Sequence, residues 1–141
     1  MRCVWISALY DECCAAGDER RYDCCCIAAT ARDFARFGKL YIDKGKWGDT
    51  EILDPSFVEL SLKPVFDDSP FYGYGWWLYE YEGKKVFTMN GHQGQFIISF
   101  PDENIIIVRQ GDLNNKGRVS EGSGDLYQYI SEGYKLATAI E

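Results

Sequence analysis

Gly91-His92-Gln93-Gly94-Gln95 runs through Phe96-Ile97-Ile98-Ser99-Phe100 and Pro101-Asp102-Glu103-Asn104 into Ile105-Ile106-Ile107-Val108, and the fold turns on this stretch. Two glycines bracket the chain's single histidine, so a turn is expected there, leading into a strand from Gln95 to Phe100. Proline, aspartate and asparagine at 101–104 carry the chemistry of a hairpin turn. Ile105–Val108 is apolar at every position, as in a strand covered on both faces.

Working backwards, the period of two extends to Tyr72. Tyr74, Trp76 and Leu78 alternate with Gly75, Trp77 and Tyr79, which predicts a strand bulky on both sides. Gly83-Lys84 then turns the chain into a strand over Lys85–Met89. Further upstream the period is helical. Thr30 and Asp33 form a pair resembling a capping box, and Ala31, Phe34, Phe37, Leu40 and Tyr41, with Ala35 beside them, make one apolar stripe. Gly45 stands where a left-handed cap would end that helix. Asp54-Pro55 starts a second helix whose apolar side is Phe57, Val58 and Leu62, and Pro64 ends it. Beyond a polar loop over 111–124, Leu126, Ile130, Gly133, Ala137 and Ile140 mark a C-terminal helix with Asp125 near its start. The expectation is an α+β fold: an antiparallel sheet with flanking helices, one of them C-terminal.

Residues 1–23 show no sustained period and are read as an irregular segment ahead of a domain over 24–141. A sheet containing a strand as apolar as 105–108 needs a cover on its second face and a sealed edge. Residues 1–28 show no strand pattern that would supply them. Self-association through an exposed sheet face is the consequence expected from sequence.

Composition narrows the function. The net charge of -7 over 141 residues disfavours nucleic acid and anionic membrane as partners, because both need a basic face. No apolar run is long enough for a membrane span. All six cysteines fall in the first 26 residues, as Cys3, Cys13, Cys14, Cys24, Cys25 and Cys26. Vicinal pairs suit neither zinc spacing nor an unstrained bridge to each other. Reduced thiols are favoured, with a disulfide between the clusters and a metal left open. Met1-Arg2 with the short apolar stretch behind it lacks a cleavage site, so no targeting signal is read.

Three stretches together resemble the C-terminal part of the serine β-lactamase-related family, which includes class C β-lactamases, DD-peptidases, esterases and 6-aminohexanoate-dimer hydrolases. They are Ala29–Tyr41 running to Gly45-Lys46-Trp47, then Tyr72-Gly73-Tyr74-Gly75-Trp76-Trp77, then Gly91-His92-Gln93-Gly94-Gln95 with its hairpin. The resemblance implies part of a β-lactamase/transpeptidase-like fold and hydrolysis of a small ester, amide or peptide through a serine acyl-enzyme, with no cofactor. It also implies relatives that are often periplasmic or secreted, although the compartment of this chain stays open.

By the same resemblance His92-Gln93-Gly94 is the family's third motif. His92 is then a catalytic candidate facing substrate, Gln93 and Gly94 are substrate-binding candidates, and the Gln95 N–H is an oxyanion donor. Such donors contribute about 2.7–4 kcal/mol each to the transition state. His92-Gln93 in place of the Lys-Thr/Ser of β-lactamases points to the esterase and amidase branches. The serine and its base are not found: no Ser-x-x-Lys and no Tyr-x-Asn occurs. A serine needs a neighbouring base to attack an acyl carbon, so the chain alone is expected to be inactive.

The Tyr72–Tyr81 aromatics, Trp76 and Trp77 above all, could make a non-catalytic platform for a glycan or peptide, although aromatic strands more often build cores. Glu80, Glu82, Asp102 and Glu103 sit at turns and strand ends, where solvated charge is the simpler reading than a glycosidase pair. Asp112–Asn115 resembles only a fragment of a calcium loop.

Overall fold

A computed structural model describes residues 2–7, 29–91, 94–110 and 124–139. In chain order the elements are β1 (Arg2–Ser7), α1 (Ala31–Ile42), β2 (Lys46–Trp47), β3 (Thr50–Glu51), α2 (Pro55–Ser61), β4 (Trp77–Tyr81), β5 (Lys84–Gly91), β6 (Gln95–Phe100), β7 (Ile105–Gln110) and α3 (Gly124–Thr138). One sheet runs in the order β1-β7-β6-β5-β4, and β2 and β3 form a separate small hairpin. The pairs from β4 to β7 are antiparallel, while β1 joins β7 in parallel. The architecture is α+β, as the period changes predict.

Helix α1 begins where its capping residues place it. The Asp33 N–H donates to the Thr30 hydroxyl and the Thr30 N–H to the Asp33 carboxylate, so two orphan amides are satisfied reciprocally. These bonds, with Arg36 beyond them, hold the Asp33 carboxyl below the usual range. At the other end Lys44 and Gly45 both take positive φ, and the Gly45 N–H bonds to the Leu40 carbonyl.

The buried stripe of α1 is the expected one shifted at its edge, with Ala31 and Phe34 partly buried beside Ala35. Ala35, Gly38 and Tyr41 are buried, whereas Phe37 is 39% exposed. Small residues at 35 and 38 let the helix axis approach the sheet, and Phe37 is left to stack at the edge on Trp76, with ring centroids 6.0 Å apart. A Cβ on Gly38 would stand 3.0 Å from Ser99 Oγ and 3.1 Å from Ile97 Cγ2. Helix α2 is rotated in the same sense: Val58 and Ser61 are buried and Phe57 is exposed.

The predicted strand from Tyr72 starts later, at Trp77. Gly75 has φ +82°, and the Gly73 N–H closes onto the Trp76 carbonyl, so residues 73–76 bend instead of extending. Trp76 then drops into the core against Tyr41 and Phe87.

Alternation along β6 and β7 sorts two cores. Ile97, Ile106 and Val108 pack on Ala35 of α1, while Ile98, Phe100, Ile105 and Ile107 pack on Leu126, Ile130 and Ala137 of α3. The α3 stripe is as expected, with Ile140 outside the described residues. Gly133 lets the helix sit close: a Cβ there would meet Ile107 Cδ1 at 2.5 Å.

Both faces of β7 are therefore covered, and its edge is taken by β1 in register from Arg2↔Ile105 to Ser7↔Gln110. This corrects two expectations. Residues 2–7 do form a strand, because an unpaired apolar edge offers hydrogen bonds that local pattern does not reveal. The bare sheet face that motivated self-association is absent among the described residues.

Candidate functional site

The third-motif turn sits between the end of β5 and the start of β6, with Gly91 and Gln95 as register partners. His92 and Gln93 lie outside the described residues. Gly94 and Gln95 are described, and the structure gives them a specific setting. Gly94 has φ +76°, a conformation open to glycine at little cost. Gln95 is half-buried.

Three groups outside the predicted motif surround this turn. Arg109, near the end of β7, is buried, and its Nη1 donates to the Gly94 carbonyl at 2.7 Å. Its Nε donates to the Tyr129 hydroxyl of α3 at 3.3 Å, and the guanidinium lies 5.7 Å from the Tyr129 ring centroid. Tyr129 in turn packs on Phe96, the residue after Gln95, at 6.0 Å. A Cβ at position 94 would stand 2.9 Å from Arg109 Nη1, so glycine is required there for space as well as for φ. The carbonyl, the guanidinium and the tyrosine thus tie the turn to β7 and α3.

On β5, Thr88 donates from its hydroxyl to Asn90 Oδ1 at 2.7 Å, and Asn90 Nδ2 donates to the Tyr79 hydroxyl at 3.4 Å. Thr88 is fully buried, so this short polar chain fixes the Asn90 amide just before the turn. A preorganised backbone peptide flanked by a fixed amide can stabilise a developing negative charge. It cannot by itself supply a nucleophile.

Sequence reading missed Arg109 and Tyr129. A signal did exist: Arg109 is a charged residue directly following four apolar ones in a strand covered on both faces. Such an arginine must be paired when buried, and its partner marks a place where geometry is held. Tyr129 carried no comparable mark, since an aromatic on a C-terminal helix reads as core.

The other candidates separate cleanly. Trp76 is fully buried, so it leaves the proposed aromatic platform, whereas Phe71 and Tyr74 are exposed and Phe71 stacks on Trp77 at 6.0 Å. Glu80, Glu82 and Asp102 are exposed, and Glu103 is ion-paired with Lys84, which raises the Lys84 pKa. Burial pushes the Tyr81 phenol up at the far end of the β4–β5 hairpin. A shallow apolar cleft between Phe37, Leu40, Trp47 and Ile52 shares no residue with the turn. The vicinal cysteines and Asp112–Asn115 lie outside the described residues. Among the described residues no cluster could hold a metal, and no helix is long and apolar enough to cross a membrane.

A family model described as Beta-lactamase matches residues 21–120. No curated protein matches the chain significantly. The matched span contains α1, the aromatic bend, the Gly94–Gln95 turn and β7.

Proposed function

Because the chain belongs to the β-lactamase family, we propose that it is the C-terminal part of a serine acyl hydrolase of the esterase or amidase type. In this reading it supplies the third wall of the pocket: His92 and Gln93 beside the substrate, Gly94 for close approach, and the Gln95 N–H as an oxyanion donor. The observation that carries it is the Gly94–Gln95 peptide, held at a strand terminus by a buried arginine. Preorganised amides of this kind perform the electrostatic share of acyl transfer.

The nucleophile comes from elsewhere, since the sequence holds no Ser-x-x-Lys. The purified chain is expected to leave a p-nitrophenyl ester unhydrolysed and to take no fluorophosphonate label. Stoichiometric labelling of one of its own serines would refute that division of roles. A Ser-x-x-Lys encoded upstream of Met1, in any frame, would support it.

A second reading keeps the aromatic surface as a binding module for a glycan or peptide. Exposed Phe71 stacked on half-buried Trp77 favours it, with Tyr74 exposed nearby in sequence. Titration of oligosaccharides followed by tryptophan fluorescence distinguishes the two, and an unsaturable or absent response counts against binding.

A further inference from the structure

Glycine at a positive φ does not hold its own carbonyl in one direction, because the backbone torsions around it are permissive. The direction of the Gly94 carbonyl must therefore be set from outside. A trans peptide is planar, with its C=O and N–H on opposite sides, so whatever holds the Gly94 oxygen also aims the Gln95 N–H. In this chain the holder is Arg109. Arg109 is 7% exposed, and its guanidinium reaches past the register partner Phe96 to the Gly94 oxygen at 2.7 Å. Its own position is fixed from α3 by the Tyr129 hydroxyl at 3.3 Å.

We propose that Arg109 is a positioning residue, whose guanidinium locks the Gly94–Gln95 peptide and so aims the Gln95 amide at the oxyanion of the acyl-transfer transition state. The proposal rests on the reading of Gln95 as an oxyanion donor. A charged donor suits the task, because its hydrogen bonds are shorter and stronger than those of a neutral one. Arginine suits it better than lysine, because a planar fork serves Gly94 and Tyr129 from separate nitrogens. The glycine and the arginine require each other: a Cβ at 94 would displace Nη1.

Nuclear magnetic resonance on the full chain, with labelled glycine carbonyl, arginine side-chain nitrogen and backbone nitrogen, tests the lock directly. The unmodified chain is expected to show a scalar coupling between the Arg109 side-chain nitrogen and the Gly94 carbonyl carbon. Arg109→Met should shift or split the Gly94 carbonyl and Gln95 amide signals while the Ile98 amide, deep in β6, stays in place. Arg109→Lys should recover part of the shift. Unmoved Gly94 and Gln95 signals in folded Arg109→Met would overturn the proposal. Absence of the coupling in the unmodified chain would do so too, and needs no variant to fold.

A second arm titrates a phosphonate monoester anion, a mimic of the tetrahedral oxyanion. A saturable shift of the Gln95 amide that disappears in Arg109→Met supports both ideas. The same shift retained in the variant sinks the role of Arg109 alone. No shift in the unmodified chain sinks the oxyanion reading of Gln95, while the coupling still decides whether Arg109 sets the peptide.

Discussion

Replacing Gly38 with alanine sets two effects of similar size against each other, and the structure says which prevails. In a helix interior, alanine is better than glycine by about 0.8–1.0 kcal/mol. At an exposed site that gain would appear as added stability. Gly38, however, is buried on the sheet side of α1, and a new Cβ would stand 3.0 Å from Ser99 Oγ, 3.1 Å from Ile97 Cγ2 and 3.4 Å from Ile106 Cγ2. Each of these atoms is one bond from its own Cβ and moves only by a χ1 rotation inside a packed core, so the neighbours give way only in part. Overpacking of this kind costs about 1–3 kcal/mol. The net expectation is destabilisation of about 1 kcal/mol, seen as a lower urea midpoint at unchanged slope.

Ser99 makes the reasoning sharper. Its Oγ is buried without a hydrogen-bond partner among the described residues, so Ser99→Ala alone should be neutral or stabilising. It also removes the nearest atom to the new methyl. The double variant should therefore be more stable than the sum of the single effects, by about 0.5 kcal/mol or more. A Gly38→Ala chain more stable than the parent would refute the close approach of α1. Strict additivity would place the clash on the isoleucines instead of Ser99.

Two further outcomes follow from the helix ends. Thr30→Ala removes one half of the reciprocal cap on α1 and should lower stability by about 1 kcal/mol in the same urea assay, while Gln128→Ala at an exposed position of α3 serves as the comparison. Acid should erode stability in a defined direction. Asp33, Asp54 and Glu59 are each held below the ordinary range, chiefly by side-chain hydrogen bonds from Thr30, Ser56 and Lys63 respectively. A carboxylate with a depressed folded pKa contributes stability that is present above its unfolded value, about 4, and is lost as the pH falls through its folded value. The loss should therefore lie below about pH 4, and a urea midpoint that does not move between about pH 5 and about pH 2 would contradict it.

Most of the helices and strands could be read in the sequence because their periods are long and their ends chemically marked. Thr30/Asp33 and Asp54-Pro55 announce two helix starts, and Pro101–Asn104 announces the β6–β7 connection. What stayed hidden depended on contacts distant in the chain. On α1 only the edge of the stripe departs from the pattern: Phe37 stays 39% exposed, whereas Gly38, with no apolar side chain to mark it, is buried against the sheet. The strand at 72–76 failed because Gly73 and Gly75 let the chain bend, a choice settled by Gly73 packing on the backbone at Ser61. Strand β1 was invisible because its only reason for being a strand is the open edge of β7.

At the site, motif spacing located the turn but not its support. Gly94 and Gln95 could be named from five consecutive residues, yet the group that orients them is contributed fifteen positions away and braced from another helix.

That separation bears on what a chain of this kind can do. Folding and chemistry make different demands on it. The isoleucines of β7 are closed in by α1, α3 and β1, so the core from β5 to β7 is satisfied by residues of this chain. Large apolar groups left in solvent lie on α1, α2 and the segment between them as Phe37, Trp47, Ile52, Phe57 and Leu60, along residues 66–74 as Phe66, Phe71 and Tyr74, and on α3 as Tyr127 and Leu136. On the proposed reading, an oxyanion peptide on a closed core accelerates nothing until a nucleophile stands in front of it, because stabilising a transition state presupposes the attack that forms it. The persistence of an arginine clamp on Gly94 is then understandable in physical terms: the clamp is buried structure, and removing it would strand the groups it binds whether or not any acyl group ever arrives.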